Sequence, residues 1–189
     1  MIEYARSAIA VLGRRFFAAA PARQFARRQD GAAAVEFALI AGPFLALVFA
    51  IIETAFVFFA GQTLETAVTN SSRLIMTGQA QNSGLTASTF KNAVCTNIVG
   101  LFDCQNKLYV NVQNFSSFSS ASTTPPYVNG QLDTSQMKYQ PGGPGDIVVV
   151  SLYYQWPIYI SLYSNNLANQ SGGNRLLVAT AAFRNEPYQ

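Results

Sequence analysis

The chain has 189 residues, half of them hydrophobic and 11% charged, with a formal net charge of +3 and no histidine. That length holds one modest domain plus an anchor but not two full domains beside a membrane segment, and the missing histidine removes the commonest general base, metal ligand and pH switch. The basic balance does not point to nucleic acid, because six of the twelve Lys and Arg residues precede Gly31, leaving seven acids against six bases from Ala32 onward.

Residues 1–30 are rich in Arg and Ala. Ile9, Val11, Leu12, Phe16 and Phe17 form one apolar face if the segment is helical, and Pro21 would end that helix. Such a helix suits an anionic membrane surface; a solvated cytosolic tail is the alternative. An ordinary secretory signal does not fit, because no uninterrupted apolar core precedes the small-residue junction Gly31-Ala32-Ala33-Ala34.

The apolar run follows that junction. Residues 37–52 carry no charge, and between Phe37 and Ala60 the one charge is Glu53. Twenty-four helical residues extend about 36 Å, enough to cross a hydrocarbon core of about 30 Å. Six arginines before the run and none after it until Arg73 orient the N-terminus to the cytoplasm, with Arg27 and Arg28 at the inner surface. Glu36 falls about 6 Å beyond Ala32 and Glu53 about 32 Å beyond it. Glu53 thus reads as an acid at the outer interface, whereas Glu36 lies inside the apolar layer and calls for a partner. Pro43 predicts a kink or weak point beginning at Gly42-Pro43.

Past Ala60, Leu64, Ala67, Val68, Ser71, Leu74, Ile75 and Gly78 recur at helical spacing, predicting an amphipathic extension to about Gln79. Its apolar face packs either on a partner or on the chain's own head. Gln79 to Gly84 reads as a polar linker. A short helix follows, with Ser88 as its N-cap and Phe90, Val94, Ile98 and Leu101 on one stripe. Cys95 and Cys104 bracket its end; in an oxidising compartment they are expected to form a disulfide, and in the cytosol to stay as two thiols.

Leu108, Val110 and Val112 alternate with polar residues as a strand. Residues 114–145, broken by Pro125-Pro126, Asn129-Gly130 and Pro141 to Gly145, read as a long exposed loop. It is not a phosphate-binding loop, since no Gly-Lys-Ser/Thr follows and a strand comes next. Asp146 to Trp156 is the strongest strand pattern, with Val148, Val150, Leu152, Tyr154 and Trp156 on one face and a central place expected. Pro157 interrupts it, and residues 158–163 bend away or pair at an edge. Arg175 to Arg184 reads as the last strand. The expected fold is α+β: a long N-terminal transmembrane helix continuing into an amphipathic helix, then a small head with an antiparallel sheet of three or four strands packed on that helix.

Little in this chain resembles catalytic machinery. A Ser/His/Asp or Cys/His set needs a histidine, two cysteines do not make a four-ligand metal site, and Asp103, Asp133 and Asp146 sit beside turns. No cofactor is expected. The sequons at Asn70, Asn114 and Asn169 carry little weight in so Asn- and Ser-rich a chain.

GAAAVEF followed by ALIAGPFLALVFAIIE, together with the final ATAAFRNEPYQ, resembles the TadE-like pseudopilins of the tight-adherence (Flp-type) pilus system. The resemblance implies a cytoplasmic leader (1–31), a transmembrane helix (32–60), its amphipathic extension (61–79) and a periplasmic head (80–189). It implies a cut between Gly31 and Ala32 by a membrane-embedded aspartic prepilin peptidase, and an assembly role for Glu36, which becomes the fifth residue and faces the new amine of a neighbouring subunit. Phe37 stands where major pilins of this type usually have tyrosine; with the large head, this favours a minor subunit. The implied partners are other pilin and pseudopilin subunits, inner-membrane assembly proteins, the peptidase and membrane lipid. An uncleaved single-pass receptor or adhesin, binding a ligand through the 114–145 loop, is the other reading.

Overall fold

The computed structural model describes residues 31–98, 100, 102–159 and 167–188. Its contacts divide the chain into two units, one ending at Val48 and one beginning at Phe49. A single helix, α1 (Ala32–Met76), contributes to both and runs unbroken through Gly42-Pro43. The leader, with Arg27 and Arg28, lies outside the described residues, as do Leu101 and residues 160–163.

Up to Ile52, α1 has no buried residue. From Glu53 onward its buried positions are Glu53, Val57, Ala60, Leu64, Ala67, Val68, Ser71, Ser72 and Ile75. The spacing of three and four residues is one stripe of a 3.6-residue helix. Val57, Ala60, Leu64, Ala67, Val68 and Ile75 share a core with Val148, Val150, Leu152, Tyr154 and Trp156. Of the two packings open to the amphipathic extension, this structure contains the one on the chain's own head, and it begins at Glu53 rather than past Ala60.

The sheet that receives this stripe has three antiparallel strands in the order β1 (Leu108–Phe115), β4 (Ile147–Pro157), β5 (Asn174–Arg184). The valine-rich strand is central, and Leu108↔Tyr154 and Leu177↔Tyr154 show both neighbours in register across it. Pro157 does not cut it short: it is the last paired residue, opposite Asn174, a strand-end position where its missing N–H costs least. The opposite face of β4 is also covered, since Tyr153 packs with Leu132 and Leu176 in a second, smaller cluster.

Between Met76 and β1 the chain is more structured than a linker. Gly78 adopts φ +75° and its N–H bonds Ile75 O, ending α1 with a residue that has no side chain to strain. The segment expected to be a polar linker contains α2 (Gln79–Asn82), with Ala80 buried in the main core; one apolar residue with a place to bury outweighs polar composition. In α3 (Ala87–Thr96) the cap is Thr86, not Ser88: Thr86 and Thr89 form a reciprocal capping box. Phe90 and Val94 are fully buried on the predicted stripe. Cys95 and Cys104 are bonded, with Cα atoms 5.9 Å apart, tying the last turn of α3 to α4 (Cys104–Lys107).

The 114–145 stretch also departs from a plain exposed loop. Its first two residues complete β1, β2 (Tyr127–Val128) pairs with β3 (Gln131–Leu132), and Leu132 is buried against Tyr153. The backbone at 138–140 lies along the free edge of β1: Val112 N–H donates to Lys138 O, and Gln140 N–H to Val112 O, both at 2.8 Å. Turn-forming composition marked the breaks but not the long-range hydrogen bonds that fix them.

The end of the chain closes the head. Glu186 N–H donates to Met76 O, satisfying an end carbonyl of α1. The Asn185 amide donates to Pro141 O and Gly143 O, and Asp146 accepts from Gly143 N–H. A Cβ on Gly78 would overlap the Tyr188 ring. Gly78→Ala is therefore expected to lower head stability by about 1–2 kcal/mol from backbone strain alone, and by more from displacement of Tyr188; denaturant unfolding followed by the single tryptophan, Trp156, measures it. Removing the disulfide as Cys95→Ser/Cys104→Ser is expected to cost roughly 2.7 kcal/mol on the loop-entropy model, read in the same assay.

Candidate processing and assembly site

The junction residues lie at the start of α1. Gly31 is exposed, and a Cβ built on it would meet nothing within 4 Å. Ala32 is the first residue of α1, and Ala32 to Ala34 are exposed as well. Among the described residues, no bulky side chain lies against the Gly31–Ala32 bond. Glu36, one helical turn after Ala32, lies on the same side of the helix. It is exposed, as is Phe37, whose relative exposure is 74%.

These neighbours are uniformly apolar. Val35, Phe37, Leu39 and Ile40 are all more than 60% exposed, a surface suited to hydrocarbon. The helix is long and apolar enough to cross a membrane, and its most apolar 18-residue window has no buried residue. This fits a single-pass membrane protein. A carboxylate at Glu36 stands out in such a surface, since an ionised group in hydrocarbon costs several kcal/mol unless paired.

The two acids of the apolar run have different surroundings. Glu53 does not sit exposed at an interface: it is 7% accessible, and its Oε1 accepts the Tyr159 N–H at 2.6 Å. Its position explains this, because Glu53 is four residues before Val57 and in phase with the stripe that enters the head. Length arithmetic alone placed Glu53 at a membrane boundary; extending the helical stripe backward by one turn is the signal that finds its partner in the head.

The remaining acids serve turns and caps. Asp103 accepts from Asn106 N–H at the start of α4, and its own N–H donates to Tyr154 Oη at 3.0 Å. Asp133 accepts from Ser135 N–H and Oγ, which holds its carboxyl below the usual aspartate range. Burial pushes the Tyr154 phenol up. Lys91 is lowered by burial against the opposing charge of Asp103, and its Nζ donates to Gln105 O. Among the described residues no three His, Cys, Asp or Glu side chains are grouped to hold a metal ion. A shallow groove lined by Phe115, Ser117, Phe118, Asp146 and Arg184 opens beside the 114–145 stretch; Arg184 Nε is already given to Gly145 O and Asp146 to Gly143. At the sequon Asn169, the side chain accepts Leu176 N–H at 2.6 Å and so extends the edge of β5.

The structure thus brings Gly31, Ala32, Glu36 and Phe37 together on the first turns of α1, and Cys95 with Cys104 in the head. If the Glu53 contact clamps helix to sheet, Glu53→Ala lowers head stability by about 1.5–3 kcal/mol, the range for hydrogen bonds to charged groups. Glu53→Gln, which keeps an acceptor oxygen, loses less; Trp156-monitored unfolding separates the two.

No curated protein and no solved structure matches the chain. The model of the TadE-like protein family matches residues 31–73, a range that opens on the Gly31–Ala32 junction, includes Glu36 and Glu53, and ends three residues before α1 does. Motif, helix and family model coincide on one segment: the helix on which this protein is built is similar to that of the TadE-like family over residues 31–73.

Proposed function

We propose that this chain is a minor pseudopilin of a tight-adherence (Flp-type) pilus system, made with a cytoplasmic leader, cut after Gly31 and held in the inner membrane by α1 with its head in the periplasm. The observation that carries this reading is Glu36, a carboxylate one turn inside an apolar helix that has no buried residue up to Ile52 and begins at a small-residue junction within the TadE-like match. Cleavage at that junction creates an α-amine at Ala32. In a neighbouring subunit this amine is a cation available to Glu36, and pairing removes the cost of both charges in the apolar layer. The uncut leader blocks the amine and holds Arg27 and Arg28 on the cytoplasmic face.

The head supports a minor rather than a major role. It is an α+β unit built around the second half of α1, whose stripe shares its main core, and it is braced by the disulfide. A disulfide is also the expected state for cysteines outside the cytosol. The proposed partners are other pilin and pseudopilin subunits, inner-membrane assembly proteins and the prepilin peptidase. The work of the protein is association rather than catalysis.

Two outcomes follow. Intact mass of the membrane-extracted protein from cells holding the peptidase is expected to begin at Ala32; a chain still beginning at Met1 contradicts the reading. Glu36→Ala is expected to leave insertion and cleavage intact while reducing co-purification with the other pilus subunits by tenfold or more, the effect of about 1.4 kcal/mol. Unchanged co-purification removes the pairing role.

A further inference from the structure

Three phenylalanines follow the point where α1 enters the head core, and a tyrosine is bonded there. Phe56, Phe58 and Phe59 are 46%, 71% and 51% exposed, and Tyr159, whose N–H is held by Glu53, is 80% exposed. From Thr54 to Leu64 the helix carries no charge. Large exposed aromatic rings grouped within one turn of a helix and beside it mark contact with something other than water.

Helix length identifies what covers it. Residues 32–52 span about 32 Å, which accounts for a hydrocarbon core of about 30 Å. At the usual tilt of about 20°, Phe56 to Phe59 fall about 34–38 Å from Ala32 along the membrane normal, within the headgroup layer on the far side. That is where Tyr and Trp rings concentrate, and where phenylalanines of interfacial helices bury at the boundary of headgroups and acyl chains. Their arrangement also argues for lipid over a partner helix. At 100° per residue, Phe56, Phe58 and Phe59 spread over about 160° of the helix surface. A partner helix is met by a stripe of residues three and four apart, whereas a lipid layer contacts every side that the head leaves open.

We propose that Phe56, Phe58, Phe59 and Tyr159 form a collar that seats the base of the head in the headgroup layer of the bilayer, so that the head rests on lipid instead of standing away from it. The collar rests on the reading of α1 as a membrane anchor. Glu53 fits this arrangement: about one turn nearer the hydrocarbon than Phe56, its bond to Tyr159 N–H holds the tyrosine segment beside the helix.

Because both native cysteines are in the disulfide, single cysteines can be added and spin-labelled in the full chain. Four are needed: Leu47→Cys in mid-helix, Phe58→Cys and Tyr159→Cys in the collar, and Val178→Cys on the exposed part of β5, all at positions at least 38% exposed. In phosphatidylcholine/phosphatidylglycerol vesicles at high lipid-to-chain ratio, collisions with oxygen and with a water-soluble nickel complex report depth. The collar predicts nickel collision rates at 58 and 159 several-fold below that at 178, with oxygen dominant at 47. Nickel rates at 58 and 159 equal to that at 178, with 47 still oxygen-dominant, overturn the collar and leave the anchor standing. Nickel access at 47 overturns both. Labels at 58 and 159 shut off from both reagents and broadened by a neighbouring label overturn the collar in favour of a second copy.

Discussion

The structure depends on one constraint, that a single helix must satisfy two solvents. Up to Ile52 the side chains of α1 are exposed or half-exposed on every side, as hydrocarbon requires and water does not tolerate. From Glu53 onward one stripe is committed to the head, and Ala60, Leu64, Ala67 and Ile75 reach full burial. Small residues on that stripe, Ala60, Ala67 and Ser71, let the backbone approach the sheet, while Leu64 and Ile75 fill the space between. The head's main core therefore includes α1: its central strand buries Val148, Val150 and Leu152 in the same cluster as the helix stripe. Any force or displacement applied to the helix reaches the sheet through packed side chains.

The ends of α1 show why the head can be small and still closed. Its C-terminal carbonyls are met by the final segment, through Glu186 N–H on Met76 O. The same segment pins the glycine-rich turn before β4, with Asn185 donating to Pro141 and Gly143 and with Tyr188 Oη reaching Gly142 O. From the other side, the Gln81 amide of α2 donates to Pro141 O and Gly142 O. The glycines at 142–145 thus present carbonyls to protein donors, which is the opposite of the amide cradle a phosphate needs. The terminal residues that contributed to the family resemblance have a structural use: they lock the helix end, the glycine turn and the last strand together.

Much of this was legible in the sequence, because it rests on periodicity. The long apolar helix, the central strand from Ile147 and the last strand from Asn174 all follow from patterns of 3.6 or 2 sustained over many residues. The α+β head and the pairing of Cys95 with Cys104 agree with expectation as well. What was not legible depends on long-range partners. Glu53 looks like an interfacial acid until Tyr159 is known to come back to it. Ala80 in a polar stretch and Leu132 in a Ser- and Pro-rich one become structured only because the core offers each a place. Thr86 and Ser88 are equally good caps by composition; the reciprocal bond with Thr89 selects the first. At the candidate site the small-residue junction and the isolated Glu36 were visible in the sequence, while the cut and the pairing role proposed for them came from the family resemblance.

Sharing one core, the head half of α1 and the sheet form one cooperative unit. Hydrogen–deuterium exchange of the full chain in micelles, followed against rising denaturant, tests it directly. Amides of residues 61–76 and of residues 148–156 are expected to converge on the same opening free energy, as parts of one unit do. Exchange of 61–76 at a much lower free energy, with 148–156 still protected, would show that the sheet stands without the helix and would contradict the account.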